Sequence, residues 1–173
     1  EFASCSFINC NFREAIFRDC NFRDCKFRDC DLSLVKLDNC LFTDTRFENS
    51  QLIGVNWTET SWEKSKFITP VDFFNCAINH STFLGLNLKK INITNCVARN
   101  VDFTEANLIQ ANCTFTDFAN SRFLHTNLQE ADFTGAKNYS IVANLNTLKK
   151  TKFSLPEAMS LLYGLDIVLT EYQ

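Results

Sequence analysis

The sequence predicts an all-β fold, a parallel solenoid wound from five-residue sides and closed by a short non-repetitive cap. Three observations carry this. A large apolar residue recurs every fifth position over most of the 173 residues, a small residue recurs two positions before it, and both patterns stop after Phe133. A period of five matches neither the 3.6 of a helix nor the 2 of a simple strand, so a single helix would smear the Phe residues round every side. If each pentapeptide instead forms one side of a coil and then turns a corner, large and small residues both point inward and the other three face water. Stacked coils then pair as parallel strands roughly 4.8 Å apart.

The first segment spans residues 1–67. Its large positions, the centres, run Phe2, Phe7, Phe12, Phe17, Phe22, Phe27, Leu32, Leu37, Phe42, Phe47, Leu52, Trp57, Trp62 and Phe67. A break of one residue falls at 68–72, around Pro70. The second segment, 73–153, resumes at Phe73 and continues through Ile78, Phe83, Leu88, Ile93, Ala98, Phe103, Leu108, Cys113, Phe118, Phe123, Leu128 and Phe133, becoming irregular after 135. The small positions read Cys5, Cys10, Ala15, Cys20 and onward to Ala111, Thr116 and Ser121. The residue between small and large is often Asn or Asp, as in Asn11, Asp31, Asp102 and Asn107. Gly54, Gly85 and Gly135 stand two after a centre, where a tight turn needs them. The last segment, 154–173, has a different grammar. Ser154 and Glu157 read as a capping box, Ala158, Leu161, Leu162 and Leu165 follow at helical spacing, and Leu165, Ile167 and Leu169 alternate as in a strand.

Composition narrows the function. The chain is 46% hydrophobic with a formal net charge of −3, which argues against non-specific nucleic-acid binding, and no apolar run is long enough to cross a bilayer. Eight of the nine Cys occupy the small inward position, so they read as buried structural thiols rather than as metal ligands or disulfides, and they suggest a reducing, cytoplasmic setting. His80 and His125 fall two after a centre, on the surface, without recurring partners. No nucleophile motif or phosphate-cradling Gly-rich loop occurs, so the expectation is a non-enzyme without catalytic residues, cofactor or metal, acting through its surface.

The pattern resembles the pentapeptide-repeat family. That resemblance implies a right-handed quadrilateral parallel β-helix with four repeats per coil, and with 27 repeats about 6.75 coils, roughly 32 Å long. With a one-residue break, one column of centres reads Phe2, Phe22, Phe42, Trp62, Phe83, Phe103 and Phe123, and the next Phe7, Phe27, Phe47, Phe67, Leu88, Leu108 and Leu128. The first is aromatic throughout, which supports a repeat of 20. On that register the side bearing the aromatic column and the opposite side each carry a charge of −3, and the side between them, with Lys26, Arg28, Arg46, Lys66, Lys89 and Lys90, carries +3.

The tail FSLPEAMSLLYGLDIVL, with the upstream GVNWT and FTGAKNY, is similar to a subgroup of topoisomerase-binding resistance proteins, the albicidin-resistance, Qnr and MfpA proteins. That similarity implies a homodimer through the C-terminal segment, with Leu161, Leu162, Leu165, Ile167 and Leu169 at the interface. It also implies a DNA-mimicking rod that engages DNA gyrase or topoisomerase IV without direct nucleic-acid or membrane binding and protects against a gyrase poison. The expected partner-binding residues are Asp72, Phe74, Asp102, Glu105, Phe115, Asp117 and Asp132. The competing expectation is a generic interaction scaffold with another protein partner.

Overall fold

The computed structural model of the chain describes residues 1–62, 71–165, 167, 168 and 170. It is a parallel solenoid of about seven turns. The register is 20 residues per coil: Phe2 pairs with Phe22 and Phe22 with Phe42 on the first face, and Phe7 with Phe27 and Phe27 with Phe47 on the second. The third face is a ladder from Asn11 through Asp31 and Gln51, and the fourth pairs Phe17 with Leu37. Four pentapeptides therefore complete each coil.

The register corrects the expected break. Phe47 pairs with Phe73, Gln51 with Ala77 and Asn56 with Thr82. Each step is 26 residues, so this coil holds six extra residues, not one. They enter between Trp62 on the first face and Val71 on the second; the expected break at 68–70 and the centre Phe67 lie outside the described residues. Every later residue accordingly sits one face away from its expected place. Phe83, Phe103 and Phe123 stack above Trp57 on the fourth face, with ring centroids 5.7, 5.4 and 5.2 Å apart and planes within 13° of parallel. The second face carries its own stack of Phe7, Phe27, Phe47 and Phe73 at 4.6, 5.0 and 5.4 Å. Between faces the rings meet edge-on, as Phe103 meets Phe118 at 70°, so the core is filled by stacked columns that contact one another in the T-shaped geometry aromatic quadrupoles favour.

Each position of the pentapeptide has a backbone hydrogen-bonding reason. At the Asn/Asp position the side-chain oxygen accepts the N–H two residues on: Asp31 from Ser33, Asp102 from Thr104, Asn107 from Ile109, Asp132 from Thr134. At the small position a hydroxyl or thiol donates to the carbonyl of a centre 23 residues earlier, as Cys40 does to Phe17, Thr45 to Phe22, Thr116 to Ile93 and Thr126 to Phe103. The same side chain accepts an N–H from the coil before: Cys76 donates to Cys96 Sγ, and Cys96 to Thr116 Oγ1. Cys is thus more than a small hydrophobe here; it satisfies two backbone groups that the strand ladder leaves over. Two after the centre the chain turns the corner in the left-handed region; among the described residues 23 non-Gly residues have positive φ, all but Asn138 at this corner position. About half of those are Asn or Asp, the side chains that tolerate this conformation best.

The cap departs from expectation. Glu157–Leu165 form a 3₁₀ helix rather than an α-helix, Ile167 and Val168 are in no strand, and Leu169 lies outside the described residues. The capping box is spent on docking. Ser154 Oγ accepts the N–H of Gly135 at 2.9 Å, and Glu157 Oε1 accepts that of Asn138 at 2.7 Å, so both clip the segment onto the coil beneath. Ser154 contributes to the helix through its carbonyl, which accepts from Ala158 N–H.

Candidate interaction surfaces

The corrected register redistributes the charges. The fourth face bears Asp19, Asp38, Glu59, Asp102 and Glu105 against Arg18, Lys36 and Arg122, making it the acidic one. On the second face four carboxylates, Asp29, Glu48, Asp72 and Asp132, meet Lys26, Arg28, Arg46 and Lys152. The third face is balanced as well, with Glu14, Asp31 and Asp117 against Arg13, Arg99 and Lys137. The expected pair of acidic sides and one net-basic side is therefore not what the fold makes. The cause is the six-residue insertion, which carries Asp102 and Glu105 to the fourth face and leaves Asp72 and Asp132 on the second.

The seven expected partner-binding residues do not form one surface. Asp102 is half-buried and Glu105 exposed at the rim of the fourth face, near the exposed Leu84. Asp117 is on the third face and withdrawn, its side chain only 5% exposed. Burial opposes its charge, but hydrogen bonds from Asn138 and from Arg99, at 2.8 and 2.7 Å, outweigh that and hold its carboxyl below the usual carboxylate range. Since Asn138 also donates its N–H to Glu157, Asp117 belongs to the seating of the terminal segment. Asp132 is paired with Lys152 at 3.1 Å. Asp72 accepts the N–H of Asn92 at 2.8 Å, while burial pushes its carboxyl up; it lines a groove of about 410 Å³ with Asp24, Asp44, Lys26 and Arg46, at the corner between the first and second faces.

Two aromatic side chains were expected to point outward. Phe74 is half-buried with the Arg46 guanidinium 4.8 Å above its ring, a cation–π contact. Phe115 is 60% exposed although its ring lies over Gly135, where a Cβ would stand only 2.5 Å from the ring. Gly135 is therefore needed for the room as well as for its φ of 68°. Leu155, 76% exposed, follows one coil further along the same corner, so an apolar ridge runs up to the terminal segment. No residue of 157–165 is fully buried. Leu161 packs partly on the core and Leu162 is half-buried, while Met159, Tyr163, Leu165, Ile167 and Val168 are exposed.

Among the described residues no group of three or more His, Cys, Asp or Glu side chains is placed to hold a metal, and no helix is long and apolar enough to cross a membrane. All nine Cys are free thiols.

Stacked five-residue sides closing a coil every 20 residues define a repeat solenoid. The chain belongs to the pentapeptide-repeat family: the family model described as a pentapeptide repeat region matches residues 1–70, and that described as pentapeptide repeats matches 87–123 and 99–135. Among solved structures it is similar to full-length QnrB1, a plasmid-mediated fluoroquinolone resistance protein, with 17% identity over 95% of this chain and 89% of that chain and a TM-score of 0.53. A trypsin-treated variant of QnrB1 aligns over 98% and 91% of the two chains, at 17% identity and a TM-score of 0.50. HetL of the cyanobacterium Nostoc sp. strain PCC 7120, a pentapeptide repeat protein involved in regulating heterocyst differentiation, matches at 11% identity over 87% and 86% with a TM-score of 0.30. No curated protein matches the chain.

Proposed function

We propose that this chain is a homodimeric rod that binds a type II topoisomerase, DNA gyrase or topoisomerase IV, and protects it against a gyrase poison. The observation that carries the proposal is the terminal segment. Its motif is the part of the sequence most similar to the topoisomerase-binding subgroup, and it is clipped to the solenoid by Ser154 and Glu157 with Met159, Tyr163, Leu165, Ile167 and Val168 facing out. Exposed apolar surface of this kind is relieved by a second copy. The whole-length likeness to a fluoroquinolone resistance protein supports the same proposal. The DNA-like charge belongs to the fourth face, where Asp102 and Glu105 lie in the C-terminal coils and would stand near the middle of a tail-to-tail dimer. Such a display of charge speeds encounter with a basic saddle and fixes register.

Gyrase supercoiling with albicidin or a fluoroquinolone tests this. The wild-type protein restores or inhibits supercoiling, D102K/E105K weakens the effect, and K26Q/R28Q on the second face leaves it intact. Charged substitutions at Leu162 and Ile167 yield monomers with unchanged circular dichroism. A wild-type protein that affects neither topoisomerase would replace this function by the generic scaffold.

A further inference from the structure

We infer that the C-terminal half of the first face is a docking surface for duplex DNA. The continuous ladder Asn87, Asn107, Asn127 and Thr147 fixes this half-face. Just beyond the centres Leu88 and Leu148 stand Lys89 and Lys90 at one level and Lys149 and Lys150 three coils further on, about 14 Å away at strand spacing. All four are exposed, and among the described residues none is within ion-pairing distance of a carboxylate. Two acids are near. Glu130, between the lysine pairs, is engaged by Gln110 at 2.7 Å and Gln129 at 3.2 Å, and Glu105 stands at the adjoining corner. Apart from Ile109 and Thr147, the remaining positions are the amides Asn87, Asn107, Gln110, Asn127 and Gln129, which donate to anions.

The chemistry of this half-face selects the partner. The side chains that anchor protein–protein contacts are aromatic or large and apolar. None of the exposed large hydrophobic residues lies here; Ile109 is half-buried. Flat surfaces of Lys with Asn and Gln, lacking an apolar centre, are what phosphate backbones engage. Duplex DNA presents one charge per roughly 1.7 Å of axis, so a duplex lying along the solenoid axis offers phosphates to both lysine pairs about 14 Å apart. The expectation of no nucleic-acid contact came from the resemblance to DNA-mimicking proteins and from the net charge of −3, which the folded chain distributes unevenly.

Fluorescence anisotropy with a labelled duplex of about 20 base pairs tests this in the full chain. Binding at about 50 mM salt is expected, with log K falling against log[salt] at a slope of about −3 to −4 when four phosphates are neutralised. K89Q/K90Q/K149Q/K150Q should bind at least tenfold more weakly with a flatter slope, while K26Q/R28Q binds as wild type; thermal melts confirm that both stay folded. No binding at that salt, or undiminished binding by the quadruple variant, overturns the inference. Equal competition by polyglutamate of matched charge overturns the choice of DNA. None of these outcomes depends on a topoisomerase.

Discussion

The nine cysteines show how a residue choice reports a backbone need. Cys, Ser and Thr interchange at the small position because each closes the same pair of hydrogen bonds, as Cys96 and Thr116 do on successive coils of the third face. Desolvation pushes the Cys40 and Cys76 thiols up to about 11 and Cys96 to about 12. These groups are neutral when protonated and their folded pKa is raised, so their contribution is fully present below the unfolded value near 9 and is lost as pH rises through the folded values. Stability should be flat between pH 7 and 8.5 and fall between about 9 and 12. Denaturant midpoints measured across that range in wild type and in C76S/C96S should show a shallower alkaline fall in the variant. Equal slopes would mean that these two thiols do not titrate on unfolding. Reductant should leave the midpoint unchanged at every pH, since all the thiols are free.

At the scale of elements, the terminal segment is held to the solenoid largely by polar clips. Arg99 orients Asp117, Asp117 accepts from the Asn138 side chain, and the Asn138 N–H, in a left-handed corner, donates to Glu157. Because 157–165 buries no residue completely, loss of one clip should release the segment without melting the coils. Glu157→Ala is expected to raise the exchange rate of the Asn138 amide at least tenfold and to weaken the proposed dimer, while the main thermal transition moves by no more than a few degrees. An Asn138 amide as protected as in wild type would show that Glu157 does not seat the segment. The capping-box signature at Ser154 and Glu157 was legible in the sequence, but its destination was not. The same side chains cap a helix when its N-terminus is free and bind a neighbouring backbone when an unpaired N–H, here of Gly135 or Asn138, lies closer.

The whole molecule explains which features were legible. The inward and outward assignment came from the five-residue period alone, and beyond the first coil, whose Phe2 is exposed at the open end, the aromatic positions fell in the core: Phe22, Phe27, Phe47, Phe73, Phe83 and Phe103 are each 1% exposed or less. Assigning faces requires the phase within 20 residues, and a period of five cannot supply it across an insertion, because one extra residue and six extra residues leave the same phase. Phe67 stands five after Trp62 and so continues the pattern in sequence. Everything that depended on faces, the charge balances and the grouping of Asp72, Asp102, Asp117 and Asp132, inherited that ambiguity. The paired register of Phe47 with Phe73 resolves it and makes a strong prediction. Deleting residues 65–70 joins Trp62-Glu63-Lys64 to Val71-Asp72-Phe73, which is a regular repeat with Val at the small position, Asp at the side-chain-accepting position and Lys at the corner, as in Lys90. Shortening the connection from Trp62 to Val71 by six residues lowers the closure-entropy cost by about 1 kcal/mol. The deleted protein should therefore melt within about 4 °C of wild type or above it, and ring-to-ring nuclear Overhauser contacts between Phe47 and Phe73 should persist. Deleting only 66–70 leaves one residue too many at the corner and should cost several degrees. If the six-residue deletion loses the Phe47–Phe73 contact, or is the less stable of the two, the coil does not contain six extra residues and the faces must be reassigned.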